Sequence, residues 1–160
     1  MEHIGSVLAY SLDTSGILDA WTRHYPPDVF PSIWDHMDKA AQSGVILVID
    51  EVMRELEKKD DGVHKWAKAR GHMIVPIDVG IQKHVVDIMA KYSRLVDSKK
   101  NRSGCDPWVI ALARDRQLTV VTGEKASNSL VKPKIPDVCK DLGIPCIEII
   151  DFFREQTWRL

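Results

Sequence analysis

The chain has 160 residues, 44% of them hydrophobic and 28% charged, with a formal net charge of -1. This is the make-up of one globular domain with a core of its own, and it excludes a disordered chain and a uniformly basic nucleic-acid binder. No apolar run approaches the roughly 20 residues of a membrane span, and the opening Met1-Glu2-His3 lacks the basic start of a signal peptide, so a cytoplasmic location is expected.

Short apolar runs rich in β-branched residues alternate with longer helical patterns along the whole length. Strands are predicted over residues 7–12, 45–49, 73–77, 118–122 and 145–149, and they are hydrophobic nearly throughout, as strands covered on both faces are. The first is followed at once by a helix start. Val29, Ile33, Trp34 and Met37 then stand at helical spacing over residues 29–43, with Gly44 as a stop. The second strand runs into a helix that carries Glu51 and Glu55 one turn apart on one face. Val85, Ile88, Met89 and Tyr92 mark a helix over residues 81–95, and Trp108, Ala111 and Leu112 mark one over residues 107–116. The alternation predicts an α/β fold of three layers, α/β/α, with a mostly parallel central sheet in a single domain spanning 1–160. The polar stretches 97–104 and 124–135 are candidate substrate-facing loops.

Open parallel sheets bind ligands outside the carboxyl ends of their strands, and four acids fall there. Asp13 follows the first strand, Glu51 or Glu55 in the helix after the second supplies another, Asp106 opens the helix before the fourth, and Glu124 follows that strand. Each also has a plain structural explanation. Asp13 and Asp106 are good helix-capping residues, Glu55 precedes Lys58 and Lys59 at ion-pairing distance along a helix, and Glu124 fits a turn. Taken together they need a different account, because clustered carboxylates repel unless a cation joins them, and oxygen-only ligation suits Mg²⁺ or Mn²⁺. The histidines and the three cysteines (Cys105, Cys139 and Cys146) show no zinc spacing. The cysteines read as small buried residues, Cys139 and Cys146 near one another. Basic runs at Lys99, Lys100 and Arg102, and at Lys125, Lys132 and Lys134, are either solvated loop charge or a local rim for a polyanion.

Leu-Asp-Thr-Ser at 12–15, Val-Met-Arg-Glu-Leu at 52–56, Asp-Pro-Trp-Val-Ile-Ala-Leu-Ala at 106–113 and Val-Val-Thr-Gly-Glu at 120–124 stand in the order and spacing of PIN domains. The sequence resembles that family over nearly its whole length. It looks closest to small PIN-like proteins of the DUF4411 type, through Ile135-Pro136-Asp137-Val138-Cys139 with Gly143-Ile144, and is similar to VapC-type toxin ribonucleases. The resemblance implies a metal-dependent ribonuclease acting on single-stranded RNA, often the toxin of a type II toxin-antitoxin pair and often a homodimer. On it, Asp13, Glu55, Asp106 and Glu124 are the catalytic acids, with Asp13, Asp106 and Glu124 on Mg²⁺ or Mn²⁺. Thr14, Ser15 and Thr122 support them, and Lys99, Lys100, Arg102 and Lys125 would hold RNA phosphates. Leu56 after Glu55 favours Glu55 over Glu51 as the second acid, and the fourth position has Glu where Asp is common. The rival reading is a PIN fold of weak or no activity that binds RNA or protein. Physics alone would also permit a phosphatase. Aromatics at Trp21, Tyr25, Phe30, Phe152, Phe153 and Trp158 either bury in an interface between two copies or pack within one chain.

Overall fold

The computed structural model describes residues 8–96 and 104–159. Five parallel strands form one sheet in the order β3-β2-β1-β4-β5, where β1 is Tyr10–Leu12, β2 Ile46–Ile49, β3 Ile74–Val75, β4 Thr119–Val121 and β5 Cys146–Ile147. Eight α-helices flank it among the described residues, in a three-layer α/β/α arrangement. They are α1 (Thr14–Asp19), α2 (Pro31–Gln42), α3 (Asp50–Lys59), α4 (Asp61–Lys68), α5 (Val79–Lys91), α6 (Asp106–Arg116), α7 (Ile135–Leu142) and α8 (Ile149–Glu155). The α/β class and the parallel sheet are therefore as the sequence predicts.

Each strand is shorter than its apolar run, for local reasons. Met73 falls in a 3₁₀ turn, and β3 stops before Pro76, which has no N–H to give to a ladder. The run ending at Ile149 divides, because β5 stops at Ile147 and Ile149 begins α8. Val29 lies ahead of α2 and is exposed, while Ile33, Trp34 and Met37 face the core as their spacing requires.

Chain order gives the sheet its functional geometry. From the central β1 the chain builds outward through β2 and β3, then returns to the other side of β1 for β4 and β5. The reversal lies between β1 and β4, which is where a parallel sheet opens a crevice at its carboxyl edge. Two features hold that edge in place. Asp13 N–H donates to Val121 O at 2.9 Å, carrying the β1–β4 ladder one residue past the strand. Buried α6 packs against α5 and against β1, β2 and β4, with Val109 to Ala113 buried without a break.

The aromatics pack within the chain. Trp34 meets Trp21 and Trp66 edge-on at 4.7 and 5.1 Å, and Tyr25 meets Phe30 and Phe153 at 5.6 and 5.2 Å. Phe152 and Phe153 are buried, and Phe152 sits 4.7 Å from Tyr10 of β1. Helix α8 thus lies against its own sheet, while Phe30 keeps 38% of its surface exposed.

Candidate acidic site

Strand β1 delivers Asp13 to the crevice with almost no exposure. It occupies the N-cap position of α1, yet its side chain makes no capping bond. Instead Ser15 Oγ and Thr122 Oγ1 both donate to its Oδ2, at 2.6 and 2.8 Å. Each hydroxyl accepts in turn from the loop after β4: Ser15 Oγ from Gly123 N–H at 2.9 Å, and Thr122 Oγ1 from Glu124 N–H at 3.1 Å. Two relays therefore fasten the carboxylate to the end of β4. Burial pushes the Asp13 carboxyl up to about 6; the two hydroxyls oppose this, and the charges of Glu124 and Glu55 add to it.

Helix α6 supplies the second carboxylate. Asp106 is its first residue and is buried, so the expected N-cap place is one residue earlier, at Cys105. Ligand atoms of Asp13, Cys105 and Asp106 lie within 4.8 Å of one another, the spacing of groups that can share one ion.

Glu51 and Glu55 have different surroundings. Glu51 pairs with exposed Arg54 at 3.0 Å. Glu55 reaches the crevice, where its Oε2 accepts from Cys105 Sγ at 2.9 Å. Its Oε1 pairs with Lys59 at 3.1 Å, so the expected surface ion pair and the site contact occur together on one carboxylate. Glu124 is half-buried beside Thr122, and its Oε2 accepts from Ile135 N–H at 3.1 Å, at the start of α7. The four acids are gathered at one edge, with Glu124 committed to a helix end.

The supporting hydroxyls divide. Ser15 and Thr122 orient Asp13, whereas Thr14 Oγ1 lies 3.4 Å from Cys105 Sγ. Cys105 is the site residue that composition and spacing did not single out. Burial pushes its thiol well above the ordinary cysteine range, and the Asp13 charge and the bond to Glu55 push it further. Adjacency to Asp106 was the one signal in the sequence. The expected nearness of Cys139 and Cys146 is present, and the bond between the two thiols, with burial, raises Cys139.

Beyond Glu124, a cleft of about 320 Å³ is lined by Thr122, Lys125, Pro136, Cys146 and Glu148 among others. Lys125 borders this cleft and pairs with Glu148. Lys132 and Lys134 are exposed on the same loop. Asp137 holds that loop: although burial acts against its charge, donors from Lys134, Ser127 and Asn128 keep the carboxyl below its usual range. Lys99, Lys100 and Arg102 lie outside the described residues. No helix among the described residues is long and apolar enough to cross a membrane.

Fold and site define a parallel-sheet α/β protein with clustered carboxylates at the switch point of the sheet. The family described as a domain of unknown function (DUF4411) matches residues 10–160, and the chain belongs to it. No curated protein matches the chain.

Proposed function

We propose that this chain is a metal-dependent endoribonuclease that hydrolyses phosphodiester bonds of single-stranded RNA, as the toxin of a type II toxin-antitoxin pair acting in the cytoplasm. The observation that carries the reading is the buried group of Asp13 and Asp106, with Cys105, at the β1–β4 crevice. The PIN-domain resemblance supplies the substrate class, the antitoxin and the homodimer.

The donor set fits Mg²⁺ or Mn²⁺. Asp13 and Asp106 offer hard oxygen ligands, and the acids around Asp13 oppose its ionisation unless positive charge is added. When bound, the ion lowers the pKa of a coordinated water and neutralises charge developing on the phosphate. The chain's own residues do the rest. Asp13 and Asp106 would hold the ion, with Ser15 and Thr122 fixing the Asp13 carboxylate before substrate arrives. Glu55 would orient the attacking water and accept its proton. Lys125, on the cleft rim, would take a phosphate oxygen once released from Glu148.

A second reading, a PIN fold that binds RNA or protein with weak or no cleavage, has one observation in its favour. One oxygen of the Glu124 carboxylate already serves the N-terminus of α7, which ties this acid to a structural task. Cleavage of single-stranded RNA in Mn²⁺, set against the same reaction in chelator and against Asp13→Asn, separates the two. The nuclease reading expects cleavage only in wild type with metal, with Asp13→Asn folded by circular dichroism. Cleavage that survives the chelator or the substitution overturns it, and RNA binding without cleavage establishes the second reading. Release of phosphate from nucleoside monophosphates in place of chain cleavage would make the protein a phosphatase.

A further inference from the structure

An oxygen-only account of the site leaves Cys105 without a task, although it stands at the centre of the group. Its Sγ lies within 4.8 Å of ligand oxygens of both Asp13 and Asp106, 2.9 Å from Glu55 Oε2 and 3.4 Å from Thr14 Oγ1. An ionised carboxylate only accepts hydrogen bonds, so the Cys105–Glu55 contact makes the thiol the donor. The two oxygens of Glu55 then have different partners, Oε1 Lys59 and Oε2 Cys105. Lys59 is half exposed and can be exchanged for water, whereas Cys105 is buried. The buried partner sets where the carboxylate stands relative to Asp13 and Asp106.

We propose that Cys105 is the positioning residue of Glu55: its S–H bond holds the Glu55 carboxylate against the Asp13–Asp106 pair. The inference rests on the metal-dependent reading of the site and adds a residue to it. Helix geometry supports the assignment. Cys105 is the N-cap residue of α6 and makes no side-chain cap bond there, so its side chain is free to serve α3 across the crevice. Glu55 sits in α3, whose register is set by buried Val52, Met53 and Leu56, and the bond joins two helices that the sheet separates in sequence by 50 positions.

The test compares Cys105→Val, which fills the space without a donor, with Cys105→Ser, which keeps an O–H in the same place. Mn²⁺ uptake by the RNA-free protein is read by titration calorimetry, and kcat and KM for single-stranded RNA are read alongside. Removing a group that orients a metal site's residues usually costs about 10–100-fold in affinity or activity. Cys105→Val is expected to lose that much in kcat, with KM and Mn²⁺ affinity little changed because Asp13 and Asp106 hold the ion, while Cys105→Ser recovers most of the kcat. Should Cys105→Val melt early, Cys105→Ala read at low temperature gives the same comparison. If Cys105→Val binds Mn²⁺ and cleaves like wild type, the inference falls and the nuclease reading stands. Tighter binding of Cd²⁺ than Mn²⁺ by wild type, lost in Cys105→Ser, would make the sulfur a metal ligand and overturn the donor role. A wild-type chain that takes up no Mn²⁺ and cleaves nothing overturns the nuclease reading and this role together.

Discussion

Burial, opposed by the Ser15 and Thr122 hydroxyls and reinforced by Glu124 and Glu55, leaves the Asp13 carboxyl at about 6 against 3.8 in a free chain. Between those values the folded state holds a proton on Asp13 that the unfolded state has lost, so the contribution of Asp13 to stability falls as pH rises from about 4 to about 6 and levels off above. The difference amounts to about 3 kcal/mol at 1.36 kcal/mol per pKa unit. Urea midpoints taken across this range in chelator should show that decline in wild type and lose it in Asp13→Asn; parallel curves for the two proteins would refute the account. The residue scale is also where reading the sequence succeeded and failed most plainly. Asp13 and Asp106 were legible because a strand end and a helix start put carboxylates at one edge, whereas Glu55 was preferred to Glu51 only through the PIN resemblance. Cys105 was not, because a single cysteine without ligand spacing has the sequence signature of a small core residue, and only tertiary folding brings α3 to it.

At the scale of elements, the site depends on how closely α1 lies on β4. Gly16 allows this approach: a Cβ there would stand 3.1 Å from the Val121 carbonyl oxygen and 3.6 Å from Leu12 Cδ1. The oxygen belongs to strand backbone and has little freedom to yield, so Gly16→Ala should push α1 outward and destabilise the fold by about 1–3 kcal/mol, the usual cost of overpacking. Ser15 precedes Gly16 and bonds both Asp13 and Gly123, so the same substitution should weaken Mn²⁺ binding as well as stability. Denaturant unfolding and metal titration of Gly16→Ala check the two effects; unchanged values in both would mean that the helix tolerates the shift. Alternation of apolar runs and helical spacing was enough to order the strands and to make the sheet parallel, while α4 and α7 were not predicted from it. Strand ends were less legible, since an apolar run carries no mark of where a ladder stops. Pro76 does carry such a mark, but Ile149 passes from strand to helix inside one hydrophobic stretch.

For the whole molecule, a net charge of -1 and an acidic crevice pose an electrostatic problem if RNA is the substrate, because the approaching polyanion meets like charge. A divalent cation at the proposed site would relieve part of it, and a local basic rim would have to supply the remainder. Lys125 stands on the cleft, paired with Glu148. The run of Lys99, Lys100 and Arg102 precedes Cys105 and Asp106 directly in the chain, so it is tied to the start of α6 by sequence alone. If these three side chains hold phosphates, each contact contributes about 0.7 to the slope of log affinity against log salt for a single strand. Replacing all three with Gln should therefore weaken binding at low salt and flatten the slope by about 2, while Mn²⁺ affinity in the absence of RNA stays as it was. Fluorescence anisotropy of a labelled RNA oligonucleotide, bound at several salt concentrations to Asp13→Asn so that it is not cleaved, gives both quantities. A slope equal to that of the parent would place the RNA path elsewhere and leave the acidic site to draw its substrate through Lys125 and the 124–135 loop.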